Sequence, residues 1–149
     1  MEAGKFELNY NIELITSDHN TGEVIEKSEI HNIIVNNGLE RIAKLLNGES
    51  VVPFTQIAIG TDDTEASATD TALVTEVAKE TATVSYEASY KAKWSYKFIF
   101  SSGESYIIHE IGVFADTTML NRAVSVEGKE VDAETDLTVN VTMTAGRAV

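Results

Sequence analysis

The residues of this chain whose types could carry chemistry are three histidines, a run of carboxylates and one aromatic stripe. Each would need partners at a defined spacing. His19, His31 and His109 fall in a polar turn, near a strand end and inside a strand, and none has a second histidine at metal-ligand spacing. They read as surface or structural residues. A serine hydrolase of the common type carries Gly-x-Ser-x-Gly, and the sequence has no such motif. With no cysteine at all, thiolate nucleophiles, disulfides and Cys-ligated zinc are excluded. The spacings point to a non-enzymatic protein without cofactor or metal.

Asp62, Asp63, Glu65 and Asp70 offer hard oxygen ligands of the sort calcium takes, but an EF-hand also needs a central glycine and a terminal glutamate at fixed positions. The favoured reading of these four residues is an exposed loop, free to touch a neighbouring subunit. His109 and Glu110 are adjacent, so on a strand they point to opposite faces and do not form an acid-base pair. Glu110 lies in a strongly apolar stretch and needs a partner there, for which Arg122 is the candidate. Gly60 and Gly112 lack the further glycines and lysine of a phosphate loop and read as a turn and a close backbone approach. Tyr90, Trp94 and Tyr96 could offer flat faces to a sugar, yet aromatics at period two are the expected filling of a sheet core.

The elements that must position these residues are mostly strands. Phe6, Leu8, Tyr10, Ile12 and Leu14 alternate with polar residues, which predicts a strand with one buried face, then a turn at Ser17–Gly22 and a return strand over Glu23–Ile34. Asn36 is a candidate helix cap, and Leu39, Ile42, Ala43 and Leu46 share one face of a short helix over about 37–47 that should pack on the sheet. Gln56–Gly60 reads as a buried strand and Thr61–Thr71 as a surface loop. Every even position from Val84 to Phe100 is apolar or aromatic, a run too long for one strand, so a break is expected near Ala88–Lys91. Turn residues at Ser101–Ser105 predict a hairpin onto a central strand at Tyr106–Phe114. Strands at Met119–Val126 and Leu137–Met143 follow, separated by Gly128 and Asp132–Asp136. The expected fold is an antiparallel β-sandwich of about seven to nine strands with one short α-helix packed on it, a single domain over residues 1–149.

A formal net charge of −13 repels a phosphate backbone, which argues against nucleic acid as a partner. No stretch approaches the roughly 20 apolar residues of a membrane-spanning helix, and Met1–Tyr10 lacks the pattern of a secretory signal, so no membrane partner is expected.

The order of segments carries a resemblance. Thr21-Gly22-Glu23-Val24, the run His31 to Leu39, Leu45-Leu46-Asn47-Gly48, Ile57 to Thr61, Thr69 to Leu73 with Glu76-Val77, Glu110 to Phe114 and Leu120 to Ala123 together resemble small virion structural proteins of tailed bacteriophages, commonly labelled tail-fibre proteins. Asp62 and Asp63 stand where that family is richer in glycine, and Lys79 where it commonly has arginine. The resemblance implies a virion location and a structural role, as a tail-fibre or baseplate-type appendage subunit or as a capsid decoration protein. Its partners would be other virion proteins and copies of itself, a trimer by analogy with phage appendages, with a host-surface glycan as a further candidate. A free-standing carbohydrate-binding β-sandwich is the alternative outside the virion.

Overall fold

The structure is a computed structural model that describes residues 5–30 and 32–148. Its strands are β1 (Lys5–Asp18), β2 (Val24–Ile30), β3 (Asn32–Ile34), β4 (Gln56–Gly60), β5 (Glu76–Thr81), β6 (Thr83–Glu87), β7 (Lys91–Phe98), β8 (Ser105–Ala115), β9 (Thr118–Asp132) and β10 (Thr135–Ala148), with one helix, α1 (Asn36–Leu46). All pairings are antiparallel. Strands β2-β1-β10-β7-β6 form one leaf, and β3-β9-β8-β4-β5 form the other. The leaves are joined by the Asp132–Thr135 pair at the β9–β10 hairpin.

Alternation along the strands supplies the core between the leaves. Ile12 and Leu14 of β1, Val139 and Val141 of β10 and Trp94 of β7 meet Ile57 and Ile59 of β4, Ile111 and Val113 of β8 and Leu120 of β9. A smaller cluster, Val35, Ala58, Leu73, Phe114 and Met119, lies apart from it. The fold is the mainly-β sandwich that the alternation predicts, with ten strands among the described residues rather than seven to nine.

Several local expectations hold and others change. The long run from Val84 breaks at residues 88–90, between β6 and β7, where it was expected to. The return strand expected over Glu23–Ile34 is two strands: β2 pairs with β1, whereas β3 pairs with β9 in the other leaf. His31, between them, lies outside the described residues. The hairpin expected through Ser101–Ser105 does not form, because β7 pairs with β6 and β10 while β8 pairs with β9 and β4. Turn residues specify a reversal of the chain but not the layer it returns to, and here the buried Phe98 and Phe100 lead it from one leaf to the other. Gly128 does not separate two strands either. At φ 68° it sits within β9, next to the register shift between Ile108 and Glu110, and the chain turns only at residues 133–134.

The helix begins at Asn36, one residue before the expected start, and Val35 rather than Asn36 occupies the cap, with no side-chain cap bond. Buried Val35 donates its N–H to the Leu120 carbonyl at 3.0 Å, so sheet packing sets the helix entry. Gly38 is the helix residue buried against the sheet, and a Cβ there would land on the Leu120 backbone. Of the face expected to pack on the sheet, Ile42 does lie against the core, whereas Leu39, Ala43 and Leu46 are exposed. Of the aromatic stripe, Trp94 is core and donates its indole N–H to Phe54 O at 2.8 Å, Tyr96 is half-buried, and Tyr90 is exposed at 69%.

Candidate functional site

Asp62, Asp63, Glu65 and Asp70 lie on the segment between β4 and β5, which packs on the outer side of the second leaf. Its anchor is an ion pair inside the sheet. Arg122 on β9 and Glu110 on β8 are almost fully buried, with Nε to Oε1 at 3.0 Å, which is the partner expected for Glu110. Glu110 also accepts the backbone N–H groups of Val74 and Thr75 at 2.8 Å each and of Asp62 at 3.2 Å. Arg122 sends its remaining N–H groups into the loop, to Thr64 O at 2.9 Å and to the carboxylates of Asp62 and Asp70 at 3.3 Å each. A buried carboxylate and guanidinium with this many charge-assisted bonds are well compensated for desolvation.

This geometry divides the four acidic residues into two pairs. Asp62 and Asp70 are half-buried and committed to Arg122, whereas Asp63 and Glu65 face outward. Thr64, donating to Asp62 from its hydroxyl and amide, holds that carboxyl below its ordinary range, and the charges of Arg122 and His109 add to the effect. Gly60 permits the close approach, since a Cβ there would strike Thr75 O and the Glu110 carboxylate. Among the described residues, no group of three or more His, Asp or Glu side chains is arranged to hold a metal ion. The loop is therefore a braced platform presenting Asp63 and Glu65.

The constellation closest to catalytic machinery was invisible to local spacing. His19 Nδ1 lies 2.9 Å from Oδ1 of buried Asp136, and Lys97 Nζ is 3.5 Å from the other carboxylate oxygen. No described hydroxyl bonds the other ring nitrogen. The His19 backbone N–H donates to Glu134 O at 2.8 Å, so the pair ties the β1–β2 turn to the β9–β10 turn. His109 is likewise occupied, its Nδ1 2.7 Å from Ser125 O. Lys129, buried between the leaves, is held by Glu26.

The remaining distinctive surface is apolar. Cross-strand rows on the inner face of the first leaf run from core to solvent: Ile12, Val141 and Trp94 are buried but Val84 in the same row is exposed. In the next row Met143 is buried and Tyr86 is 71% exposed. Beyond it, Phe6, Tyr90, Ala145, Gly146 and Arg147 line a groove of about 260 Å³. The first leaf thus ends in a blade, the start of β1, the end of β10 and the β6–β7 hairpin, whose inner face the second leaf leaves open. No protein-family model, curated protein or solved structure matches the chain.

Proposed function

We propose that this protein is a non-enzymatic structural subunit on the exterior of a tailed-bacteriophage virion, of the tail-fibre or baseplate type. The observation that carries the reading is the open blade: Phe6, Val84, Tyr86 and Tyr90 stand in water on one face at one end. A contiguous apolar surface of this kind is characteristic of a subunit that another protein covers. The titratable clusters support a scaffold role, since Arg122–Glu110, His19–Asp136 and Lys129–Glu26 each brace one segment against another. The virion location rests on the resemblance of the segment order described above.

A carbohydrate-binding module would place Asp or Asn beside its exposed aromatics. The groove at Phe6 and Tyr90 is lined instead by Ala145, Gly146 and Arg147, which favours a protein contact. Mass spectrometry of purified particles of the encoding phage should detect the chain, and antibody labelling should place it on the tail. Labelling of the head would turn the reading to capsid decoration, and absence from particles would overturn it. Saturable binding on a glycan array, abolished by Tyr90→Ala, would favour the carbohydrate module.

A further inference from the structure

The exposed aromatics of the blade and the leucines of α1 belong to one apolar surface. A groove of about 320 Å³ between the helix and the first leaf is lined by Leu45, Leu46, Trp94 and Met143, among others. Trp94 pairs with Val84, and Met143 stands in the row of Ala92 and Tyr86, so the groove runs on to the blade without interruption. Leu46 is 76% exposed at one end of this surface and Phe6 60% exposed at the other. At about 200 Å² for a whole aromatic side chain and somewhat less for leucine or valine, the exposed parts of Phe6, Leu45, Leu46, Val84, Tyr86 and Tyr90 amount to roughly 650 Å². A standard protein interface takes about 800 Å² from each partner, and the floors of the grooves add to the side-chain figure. Charge is sparse here. Neither groove is lined by a carboxylate, and Arg147 is the one cation among the lining residues. Lys5, Glu7, Glu87 and Lys93 alternate with the apolar residues and stand on the outer face of the leaf. In a chain of net charge −13, this is a face on which two copies can meet without setting carboxylate against carboxylate.

We infer that two copies of this chain clasp blade to blade about a two-fold axis beside Tyr86, each blade filling the layer that the second leaf of its mate leaves open. The surface is complementary to itself in shape. It carries a knob, Leu46 at the end of α1, and a hollow, the groove of about 260 Å³ that Phe6 and Tyr90 form over Ala145 and Gly146. Gly146 lies three residues along β10 from Met143, roughly 10 Å, so knob and hollow stand on either side of Tyr86. A two-fold rotation therefore sets Leu46 of each copy in the Phe6–Tyr90 hollow of the other. Arg147 lies four residues from Met143, which keeps the two arginines roughly 25 Å apart. Both copies use the same patch, so the contact closes at two, whereas a trimer would need two different patches on every copy. The inference deepens the proposed role, on which it rests for the blade being covered by protein, by naming that protein. It is tested on purified chain, so its failure and absence of the chain from particles are separate results.

The test is sedimentation velocity on the full chain up to about 100 μM, where a contact of micromolar strength is saturated. Wild type is expected to form a dimer and nothing larger. Its apparent Kd should not rise from low to high salt, because screening eases the repulsion between two acidic copies. Leu46→Lys and Tyr90→Asp change the knob and the hollow at exposed positions, and each should raise the Kd at least tenfold. Ile25→Lys, on an exposed residue at the far end of the sandwich, should leave it unchanged. Melting temperatures check that the variants are folded. As a second route, the chain has no cysteine, so engineered thiols report the register. Leu46→Cys and Phe6→Cys should each stay uncross-linked alone and form a disulfide-linked pair when mixed under mild oxidation. A wild type that is monomeric at about 100 μM overturns the inference and leaves the blade to a different virion protein. A dimer that Leu46→Lys and Tyr90→Asp leave intact, a species larger than two copies, or a mixture without the cross-link also overturns it.

Discussion

Arg122 shows how much of this molecule hangs on one side chain. Its guanidinium neutralises buried Glu110 and reaches Asp62, Thr64 and Asp70 in the loop. Arg122→Ala leaves Glu110 buried without its cation, and the expected cost is about 3–5 kcal/mol, read as a large fall in denaturation midpoint. Asp63→Ala should change stability by less than about 0.5 kcal/mol, since Asp63 faces solvent, while Asp62→Ala should cost more than that because it removes a carboxylate bound to Arg122. Urea titration of the two variants separates them. The need of Glu110 for a partner, and Arg122 as that partner, were legible in the sequence. The sharing of Arg122 with Asp62 and Asp70 was not, because residues 52 to 60 positions apart meet only when the loop folds over the sheet.

At the scale of elements, α1 is seated by one glycine and the sheet beneath it. Gly38→Ala drives a methyl group into the Leu120 backbone, which neither partner can yield easily, and the expected loss is about 1–3 kcal/mol. Calorimetry reads it directly, and the sign is informative: on an isolated helix the same change would stabilise. The period of hydrophobic residues marked the helix and nearly its limits. It placed Ile42 on the packed side correctly but not Leu39 and Leu46, because Gly38 approaches β9 so closely that the sheet lies against the Gly38–Ile42 side of the helix. The break between β6 and β7 was legible for a different reason, since an alternation of that length exceeds what one strand spans.

For the whole molecule, turn carboxylates set the acid limit of stability. Asp18 is held below its ordinary range by the Thr21 and Asn20 N–H groups, Glu104 by that of Ser101, and Asp62 by Thr64. A carboxyl depressed by folding contributes stability above its unfolded pKa and loses it as pH falls through the folded value. The melting temperature should therefore be nearly level above about pH 5 and fall toward pH 3. A melting temperature that rises on acidification would contradict this. Millimolar calcium should leave it unchanged, because Asp62 and Asp70 already bind Arg122; a clear rise would mean that the loop is a cation site after all.

By itself the sequence determined the strand-rich architecture, the single short helix and the burial of Trp94 and Phe98 on the even-numbered face of β7, because side-chain periodicity is a local property that any packing must satisfy. The acidic loop was legible as a loop, but its division into two inward and two outward carboxylates was not. Tertiary structure alone decided which leaf each strand joins, since a turn sequence fixes direction and not layer. It also decided that the first leaf extends past the second, which leaves aromatics that read as core standing in water. Charge was countable from the outset, yet its placement required the register of β1 against β10, which aligns Lys5 with Ala148 and Asp18 with Thr135 at opposite ends of the same pair.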